Sequence, residues 1–217
     1  MTRTGDLFIT LEGPDGAGKS SQATLLAERI RSLGRDVVLT REPGGTRLGE
    51  GVRAVLLDLL GEGHTAVSDA LLFNAARHQS TIEVIRPALE RGAVVISDRY
   101  ADSTLAYQGY GGGAPLEALH AMQELATGGL RPVRTVLIDL TVEQGLARRQ
   151  AGDTEQLNRF ETSQLHGADF HARVRQGYLE LARADPARWR VVDGATERET
   201  VAAAVWAAVQ DLFEEAR

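Results

Sequence analysis

The sequence predicts an α/β fold, with a parallel sheet of five strands covered by helices on both faces. Short runs rich in Val, Ile and Leu alternate along the chain with longer segments of helical periodicity. The first four of these runs are almost continuously apolar, as expected for parallel strands that are buried on both faces. The alternation indicates repeated β-α-β units, whose crossovers are right-handed.

The predicted strands are residues 7–13, 36–42, 93–99, 135–140 and 189–194. The helical segment after the first strand, KSSQATLLAERIRSLG, ends at Gly34, a residue that suits a helix C-terminus. Residues 68–91 have the periodicity of one long helix. Pro87 within them predicts a kink or break near Ile85, because proline has no backbone N–H to donate.

Two other segments have the composition of loops. QGYGGGAP, residues 108–115, is rich in glycine and is predicted to be a loop. Residues 148–161 are polar and rich in turn formers, and we expect them to form a flexible lid between two helices. No repeat or interdomain linker interrupts the sequence, so residues 1–217 are predicted to form a single domain.

The composition excludes several classes of protein. The formal net charge is −6, and a protein that binds the phosphate backbone of nucleic acid needs a basic surface, so no nucleic acid is expected as a partner. The chain has no cysteine, which excludes disulfides and thiolate metal sites and makes the cytoplasm the expected compartment. The first apolar run is too short to cross a bilayer, so no membrane partner is expected.

The segment GPDGAGKSS follows the first predicted strand and matches the phosphate-binding pattern G-x-x-x-x-G-K-[S/T]. In this P-loop, successive backbone N–H groups point at an anion and a helix N-terminus lies behind them. Lys19 is predicted to reach the β- and γ-phosphates and Ser20 to bind Mg²⁺. The motif indicates a three-layer P-loop NTPase fold, and a chance glycine turn is the alternative. The predicted nucleotide-binding residues are Gly13, Pro14, Asp15, Gly16, Ala17, Gly18, Lys19, Ser20 and Ser21.

Carboxylates near strand ends are candidates for the metal site. Asp98 closes the third predicted strand and is the first candidate for a magnesium ligand beside Ser20, with Asp139 of the fourth strand as the second. A strand-end aspartate can instead cap the following segment, and we favour that interpretation for Asp139. Asp15 would repel a polyphosphate, so we expect it to face an acceptor group or the metal; a solvated loop acid is the alternative.

Arginines outside the P-loop suggest a second anion site. The sequence has no N-K-x-D tetrapeptide, which guanine-specific GTPases normally carry. Phosphoryl transfer requires donor and acceptor phosphates to be brought together with their charge neutralised by Arg, Lys and Mg²⁺. Solvated surface arginines are the alternative. The candidates are Arg41, Arg47, Arg77, Arg99, Arg148, Arg149 and Arg159.

Five segments, in order along essentially the whole chain, resemble the thymidylate kinases. They are GPDGAGKSSQATLLAERI, TREPGGTRLGE, LLFNAARHQ, SDRYADSTLAYQG and NRFE. The resemblance implies a cytoplasmic nucleoside monophosphate kinase that transfers a phosphoryl group from ATP to dTMP with Mg²⁺, giving ADP and dTDP in dTTP synthesis. The family typically forms homodimers through helices, and ALLFNAARHQSTIEVI is the candidate segment for that contact.

The resemblance also implies which residues bind dTMP. Phe73 resembles the aromatic residue that stacks on thymine, and Arg77 lies one helical turn further along the same face, where it can reach the base or the phosphate. A core phenylalanine with a solvated arginine is the alternative. Arg99 resembles the arginine that grips the acceptor phosphate, and Arg41 is expected to contribute to that site with Glu42 orienting it.

Three further residues match the family segment that lines the sugar and base, namely Ser103, Tyr107 and Gln108. A bulky Tyr107 against the deoxyribose would leave no room for a 2′-hydroxyl, which excludes ribonucleotides. A tyrosine packed in the core is the alternative. Asp15 completes the predicted dTMP-binding set.

The match is looser in the predicted lid. One branch of the family has a catalytic arginine in the P-loop, where this chain has Ala17, and the other branch has it in the lid. Arg149 is the first candidate and Arg159 the second for neutralising charge on the transferred phosphoryl group. Asn158 stands before Arg159, where the family commonly has aspartate.

The predicted catalytic set is therefore Lys19, Arg99, Arg149 and Arg159. No general base is needed, because the acceptor oxygen is already anionic. Two rival interpretations remain: a kinase of the same fold for another nucleoside monophosphate or deoxynucleoside, and an ATP-binding assembly or regulatory module. The second rival predicts no acceptor pocket, with the FNAAR and DRY elements buried.

Overall fold

The strands form one fully parallel sheet, as predicted. The computed structural model describes residues 7–57, 64–151 and 168–214, with no side-chain description for 149–151 and 168. The strand order is β2-β3-β1-β4-β5. The strands are β1 (Phe8–Glu12), β2 (Val37–Arg41), β3 (Val94–Asp98), β4 (Arg134–Asp139) and β5 (Trp189–Asp193). Each lies within its predicted segment or begins one residue before it.

Helices connect consecutive strands of the sheet. They are α1 (Lys19–Ser32), α2 (Arg47–Leu57), α3 (Ala66–Ser80), α4 (Arg86–Glu90), α5 (Ala101–Thr104), α6 (Leu116–Thr127), α7 (Val142–Ala151), α8 (Ala168–Ala184) and α9 (Arg198–Ala207). Two π-helical segments, Thr81–Ile85 and Leu105–Gly111, extend α3 and α5, and a short 3₁₀ turn spans Gln210–Leu212. No helix of the described ranges is both long and apolar enough to span a membrane.

The disturbance predicted near Ile85 is a π-helical turn rather than a break. Residues 66–90 stay helical, and the backbone N–H of Arg86 donates to the oxygen of Thr81, five residues earlier. The wider turn falls where Pro87 cannot donate to the preceding turn. The predicted loop 108–115 is wrong in its first half, because residues 108–111 are helical and the turn begins at Gly112.

The sheet is the middle of three layers. On one face, Ile9 and Leu11 of β1 pack with Leu26 of α1 and Val205 of α9. On the other face, the alternate residue Phe8 meets Tyr100 edge to face, with ring centroids 4.9 Å apart. The alternation of side chains along β1 thus buries both faces of the strand. This confirms the predicted α/β class with helices on both sides.

The sheet order places three strand ends together. β1 lies between β3 and β4, and Leu11 of β1 pairs with Asp98 of β3. Arg41 at the end of β2 pairs with the same Asp98. In parallel α/β sheets, ligands bind beyond the carboxyl ends of the strands, so this edge is the expected place for a site.

Candidate active site

The P-loop follows β1 and leads directly into α1. Gly13 has φ 148°, and a Cβ at this position would lie 2.4 Å from the backbone oxygen of Ile138 in β4. Any other residue would therefore push the loop away from the sheet. The loop ends at Gly18, the N-cap of α1, so the first N–H groups of that helix face the space beyond the strands. The geometry is that of an anion cradle.

Lys19 is the first residue of α1 and is largely buried. Its Nζ donates to the backbone oxygen of Pro14 at 3.0 Å, which holds the side chain back along its own loop. Burial lowers the pKa of Lys19 to about 8, and the neighbouring Arg99 acts in the same direction. Carboxylates nearby, Asp15 first, oppose this shift. The lysine therefore remains a cation at neutral pH.

Ser20 and Asp98 lie together, as the predicted metal site requires. The hydroxyl of Ser20 donates to Oδ2 of Asp98, which bridges α1 and the end of β3. The described residues contain no group of three or more His, Cys, Asp or Glu side chains that could hold a metal. Mg²⁺ keeps several waters and binds one or two protein oxygens together with substrate phosphates, so a hydroxyl beside one carboxylate fits its donor set.

The carboxylate of Asp139 forms an ion pair with an arginine. Both of its carboxylate oxygens accept from Arg175 of α8, each at 2.8 Å. This bidentate pair uses the carboxylate to tie β4 to α8. The structure therefore favours a structural role for Asp139 and leaves Asp98 as the candidate ligand.

A cavity of about 300 Å³ opens beside the P-loop. Its lining includes Asp15, Lys19, Ser20 and Asp98 on the P-loop side. Six residues of the predicted acceptor set line it as well: Arg41, Phe73, Arg99, Ser103, Tyr107 and Gln108. These residues come from strand ends and helices on different parts of the chain, so the fold, and not sequence proximity, brings them to one space.

The side chain of Arg99 is fixed by contacts from several elements around this cavity. Its Nη2 donates to a carboxylate oxygen of Asp15 and, at 3.1 Å, to the hydroxyl of Tyr107. Its Nη1 donates to Ser103 Oγ and to the Tyr178 hydroxyl, both at 3.1 Å. The guanidinium also lies over the Tyr107 ring, 4.9 Å from the centroid. A cation fixed from so many sides is preorganised for an anion.

Arg77 does not line the cavity and lies behind its wall. It is 1% exposed, and its Nε donates to Glu42 Oε2 at 2.8 Å. Its Nη1 donates to Thr104 Oγ1 at 3.1 Å, and its Nη2 to the backbone oxygen of Tyr100 at 3.0 Å. Direct contact of Arg77 with a ligand stays a prediction.

The expectation that Glu42 orients Arg41 is wrong. Glu42 pairs with Arg77, whereas Arg41 donates to both oxygens of Glu50 on α2, at 3.1 and 3.2 Å. The reason is that Arg41 ends β2 and Glu42 follows it with its side chain on the opposite side of the backbone, so Arg41 faces solvent and Glu42 faces the interior. Burial raises the pKa of Glu42 to about 7, with Arg77 opposing the shift.

Sequence reasoning missed three residues of the cavity lining, Arg53, Leu57 and Thr104, and two residues directly behind it, Glu12 and Tyr178. Glu12 ends β1, is fully buried, and accepts hydrogen bonds from Ser103 and Tyr178. Burial, reinforced by the nearby Asp102, raises the pKa of Glu12 to about 7. The sequence did contain a signal for Glu12, because an acidic residue at the end of an apolar strand next to the P-loop indicates a functional role. Tyr178 had none, because it comes from α8, far along the chain.

The predicted lid is only partly described. Residues 148–151 continue α7, which corrects the expectation that the lid begins at 148. Arg148 donates to the backbone oxygen of Thr196 at 3.2 Å. The side chain of Arg149 and the whole of Arg159 lie outside the described residues, so neither candidate is placed in the cavity.

The fold and the site together define a class. One cavity is lined by the P-loop on one side and by a fixed arginine and an aromatic ring on the other, which is the arrangement of a P-loop phosphotransferase with an acceptor site beside the nucleotide. Phe73 and Arg99 are open to this cavity, which speaks against the assembly-module interpretation. The family model "Thymidylate kinase" matches residues 11–205, so the chain belongs to the thymidylate kinase family.

Individual relatives agree with the family match. A thymidylate kinase of Desulforudis audaxviator is 49% identical over 210 residues, covering 96% of this chain and 92% of the relative. One of Thermomicrobium roseum is 50% identical over 210 residues, covering 97% of each. A crystal structure of thymidylate kinase from Ehrlichia chaffeensis is 35% identical with a TM-score of 0.75, covering 95% of this chain and 99% of that one. The predicted fold and the predicted class, a nucleoside monophosphate kinase, are confirmed.

Proposed function

We propose that this protein transfers the γ-phosphoryl group of ATP to dTMP, giving ADP and dTDP, with Mg²⁺ bound between ATP and the chain. The observation that carries the proposal is the shared wall between the two halves of the site. Asp15 belongs to the P-loop and binds Arg99, which lines the acceptor side. Two anions bound on these sides would lie next to each other, as an in-line transfer requires.

On the donor side, the backbone of residues 13–21 holds the phosphates of ATP. The N-terminus of α1 and the ammonium of Lys19 supply positive charge to the β- and γ-phosphates. Ser20 and Asp98 would hold Mg²⁺, which supplies charge neutralisation on the phosphate oxygens when it is bound. Their hydrogen bond shows that both oxygens reach the same point.

On the acceptor side, Phe73 stacks on thymine and Arg99 binds the monophosphate. Arg41 lies at the rim of the same cavity, where its exposed guanidinium adds positive charge. Ser103 and Gln108 contribute polar groups for the nucleoside, with Gln108 only 3% exposed. Arg77 supports this wall through Thr104. The mixture of an aromatic face and a few fixed polar groups is typical of small-molecule sites.

Discrimination against ribonucleotides is assigned to the ring of Tyr107. Its hydroxyl is tied to Arg99, and its ring packs edge to face with Phe170, at 6.2 Å between centroids. A ring held at both ends cannot move aside for a 2′-hydroxyl. The chemistry itself consists of alignment and charge neutralisation. Arg149 near the end of α7, or Arg159 of the predicted lid in its place, is proposed to complete it.

The test is ADP release by the purified protein with a panel of acceptors: dTMP, dUMP, UMP, CMP and thymidine. We expect dTMP to give the highest kcat/KM, and thymidine to give none because it has no acceptor phosphate. Faster turnover with UMP or CMP would show that the preferred acceptor is a nucleoside monophosphate other than dTMP. A rate of ADP release that is the same with and without each acceptor would favour a module that only hydrolyses ATP.

A homodimer through α3 is also proposed. Val67, Leu71 and Ile82 are 41%, 54% and 46% exposed, and helical spacing aligns them on one side of the segment 66–90. Such a stripe of apolar side chains on a helix favours a protein partner, and a second copy offers the same stripe. Leu71→Glu is expected to convert a dimer to a monomer in analytical ultracentrifugation. A wild-type protein that sediments as a monomer at micromolar concentration would contradict the dimer.

A further inference from the structure

Glu12 lies beside the acceptor cavity without lining it. The side chain is fully buried at the end of β1, and its two oxygens accept three hydrogen bonds. Oε1 accepts from the backbone N–H of Tyr100 at 2.8 Å. Oε2 accepts from Ser103 Oγ at 2.6 Å and from the Tyr178 hydroxyl at 3.0 Å. A carboxylate with three fixed donors holds those donors in place.

Two of these donors also contact the guanidinium of Arg99. Ser103 Oγ and the Tyr178 oxygen each accept from Nη1 of Arg99 at 3.1 Å. A hydroxyl has one proton, so when that proton is given to Glu12 the oxygen's lone pairs are left for the cation. The two hydroxyl oxygens also lie 2.8 Å apart, so one hydroxyl can donate to the other while the second donates to Glu12. In either arrangement Glu12 accepts a proton that would otherwise point towards Arg99. An amide in its place would turn at least one hydroxyl proton towards Arg99.

The backbone of Arg99 is held by the same carboxylate. Arg99 has φ 69°, and no other non-glycine residue among the described ones has a positive φ. A non-glycine residue in this conformation is strained and persists only where its surroundings hold it in place. The next N–H along the chain, that of Tyr100, is the donor to Glu12. Ser97 Oγ donates to the oxygen of Arg99 at 2.6 Å on the other side.

We propose that Glu12 is a positioning residue for the acceptor phosphate, which acts by fixing both the backbone and the guanidinium of Arg99. The inference rests on the proposed function, in which Arg99 binds the phosphate of dTMP. Glu12 itself touches no substrate. Its effect reaches the ligand through Tyr100 on the backbone side, and through Ser103 and Tyr178 on the side-chain side.

The test is Glu12→Gln, which keeps the shape of the side chain and replaces one acceptor by a donor. We expect the Kd and KM for dTMP to rise about tenfold, as for the loss of a hydrogen bond to a charged group, while the KM for ATP changes less than twofold. Tyr178→Phe removes one of the two hydroxyls and is expected to raise the same constants about threefold. In an Arg99→Ala background, either substitution should change dTMP binding by less than twofold.

The matched control is Asp69→Asn, a buried carboxylate of α3 that lies 3.2 Å from His64 and outside the cavity lining. It should leave both KM values within twofold of wild type. An unchanged dTMP constant in both Glu12→Gln and Tyr178→Phe would overturn the role of Glu12. The role of Glu12 would also be overturned if Glu12→Gln changed the dTMP constant equally with Arg99 present and with Arg99 replaced by alanine. An effect that does not depend on Arg99 would indicate a general loss of structure. Failure of the wild-type protein to bind dTMP would instead overturn the proposed function.

Discussion

The buried ion pair between Arg77 and Glu42 should make the stability of the protein unusually sensitive to one substitution. The two side chains are 1% and 3% exposed and 2.8 Å apart. Removing one partner of a buried pair typically costs about 3–5 kcal/mol, because the other charge is left uncompensated. We expect Arg77→Met to lower the free energy of unfolding by about 4 kcal/mol at pH 8.

The size of this loss should depend on pH. Burial raises the pKa of Glu42 from 4.5 to about 7, so the folded protein favours the protonated carboxyl. The stability contributed by that proton is complete below pH 4.5 and is lost as the pH rises to about 7. Without Arg77 the pKa rises further, and the variant should go on losing roughly 1.4 kcal/mol per pH unit above pH 7. At pH 6 we expect a loss of about 2 kcal/mol, from the orphaned hydrogen-bond acceptors.

The measurement is urea unfolding at pH 6, 7 and 8, at one protein concentration, followed by tryptophan fluorescence. The matched control is Arg91→Met, which removes an exposed pair at 3.2 Å with Asp36 and should change the free energy by less than about 0.5 kcal/mol. The double variant Glu42→Gln/Arg77→Met removes both charges and should be more stable than Arg77→Met alone. The reasoning is refuted if Arg77→Met matches Arg91→Met at pH 8, or if its loss is the same at pH 6 and pH 8.

Three further predictions address the reaction. Lys19→Met should lower the kcat of dTMP-dependent ADP release by at least about a hundredfold, with an unchanged circular dichroism spectrum, because a preorganised cation is lost. Tyr107→Ala should shift the kcat/KM ratio of UMP to dUMP about tenfold towards the ribonucleotide, whereas Tyr107→Phe keeps the ring and should retain the wild-type ratio. Gly145→Ala should raise the KM for ATP several-fold in steady-state assays, because its Cβ would lie 2.7 Å from the P-loop oxygen of Asp15. The control Gly51→Ala has no neighbour within 4 Å and should behave as wild type.

Each of these three predictions has its own contradicting result. A Lys19→Met protein with near-normal turnover would remove the lysine from the reaction. An unchanged nucleotide ratio in Tyr107→Ala would place the 2′-carbon away from that ring. A normal KM for ATP in Gly145→Ala would show that α7 can shift without disturbing the P-loop.

The parts of the site that could be predicted from the sequence are those fixed by local patterns. The P-loop is a short contiguous motif, and Asp98 follows an apolar run that any period-2 or buried-strand analysis detects. Parallel strands then place both at one sheet edge, which is why Ser20 and Asp98 were expected together and lie together. The distance between these two residues in sequence did not prevent the prediction, because the alternation of strands and helices already implied a parallel sheet.

What could not be predicted depends on which side chains meet across the interior. No local sequence pattern indicates that Glu42 pairs with Arg77 rather than with its neighbour Arg41. None indicates that Arg175 forms an ion pair with Asp139 either. Those pairs follow from the packing of helices on the sheet, which sequence periodicity leaves open. Tyr178 reaches Glu12 by the same route, through the position of α8.

The most direct test of the account is a crystal structure of the protein with dTMP bound. The account predicts the thymine ring against the ring of Phe73 and the phosphate within hydrogen-bond distance of the Arg99 guanidinium, facing the P-loop across Asp98. A nucleotide bound at any other place in the chain, or a phosphate directed away from Arg99, would contradict it.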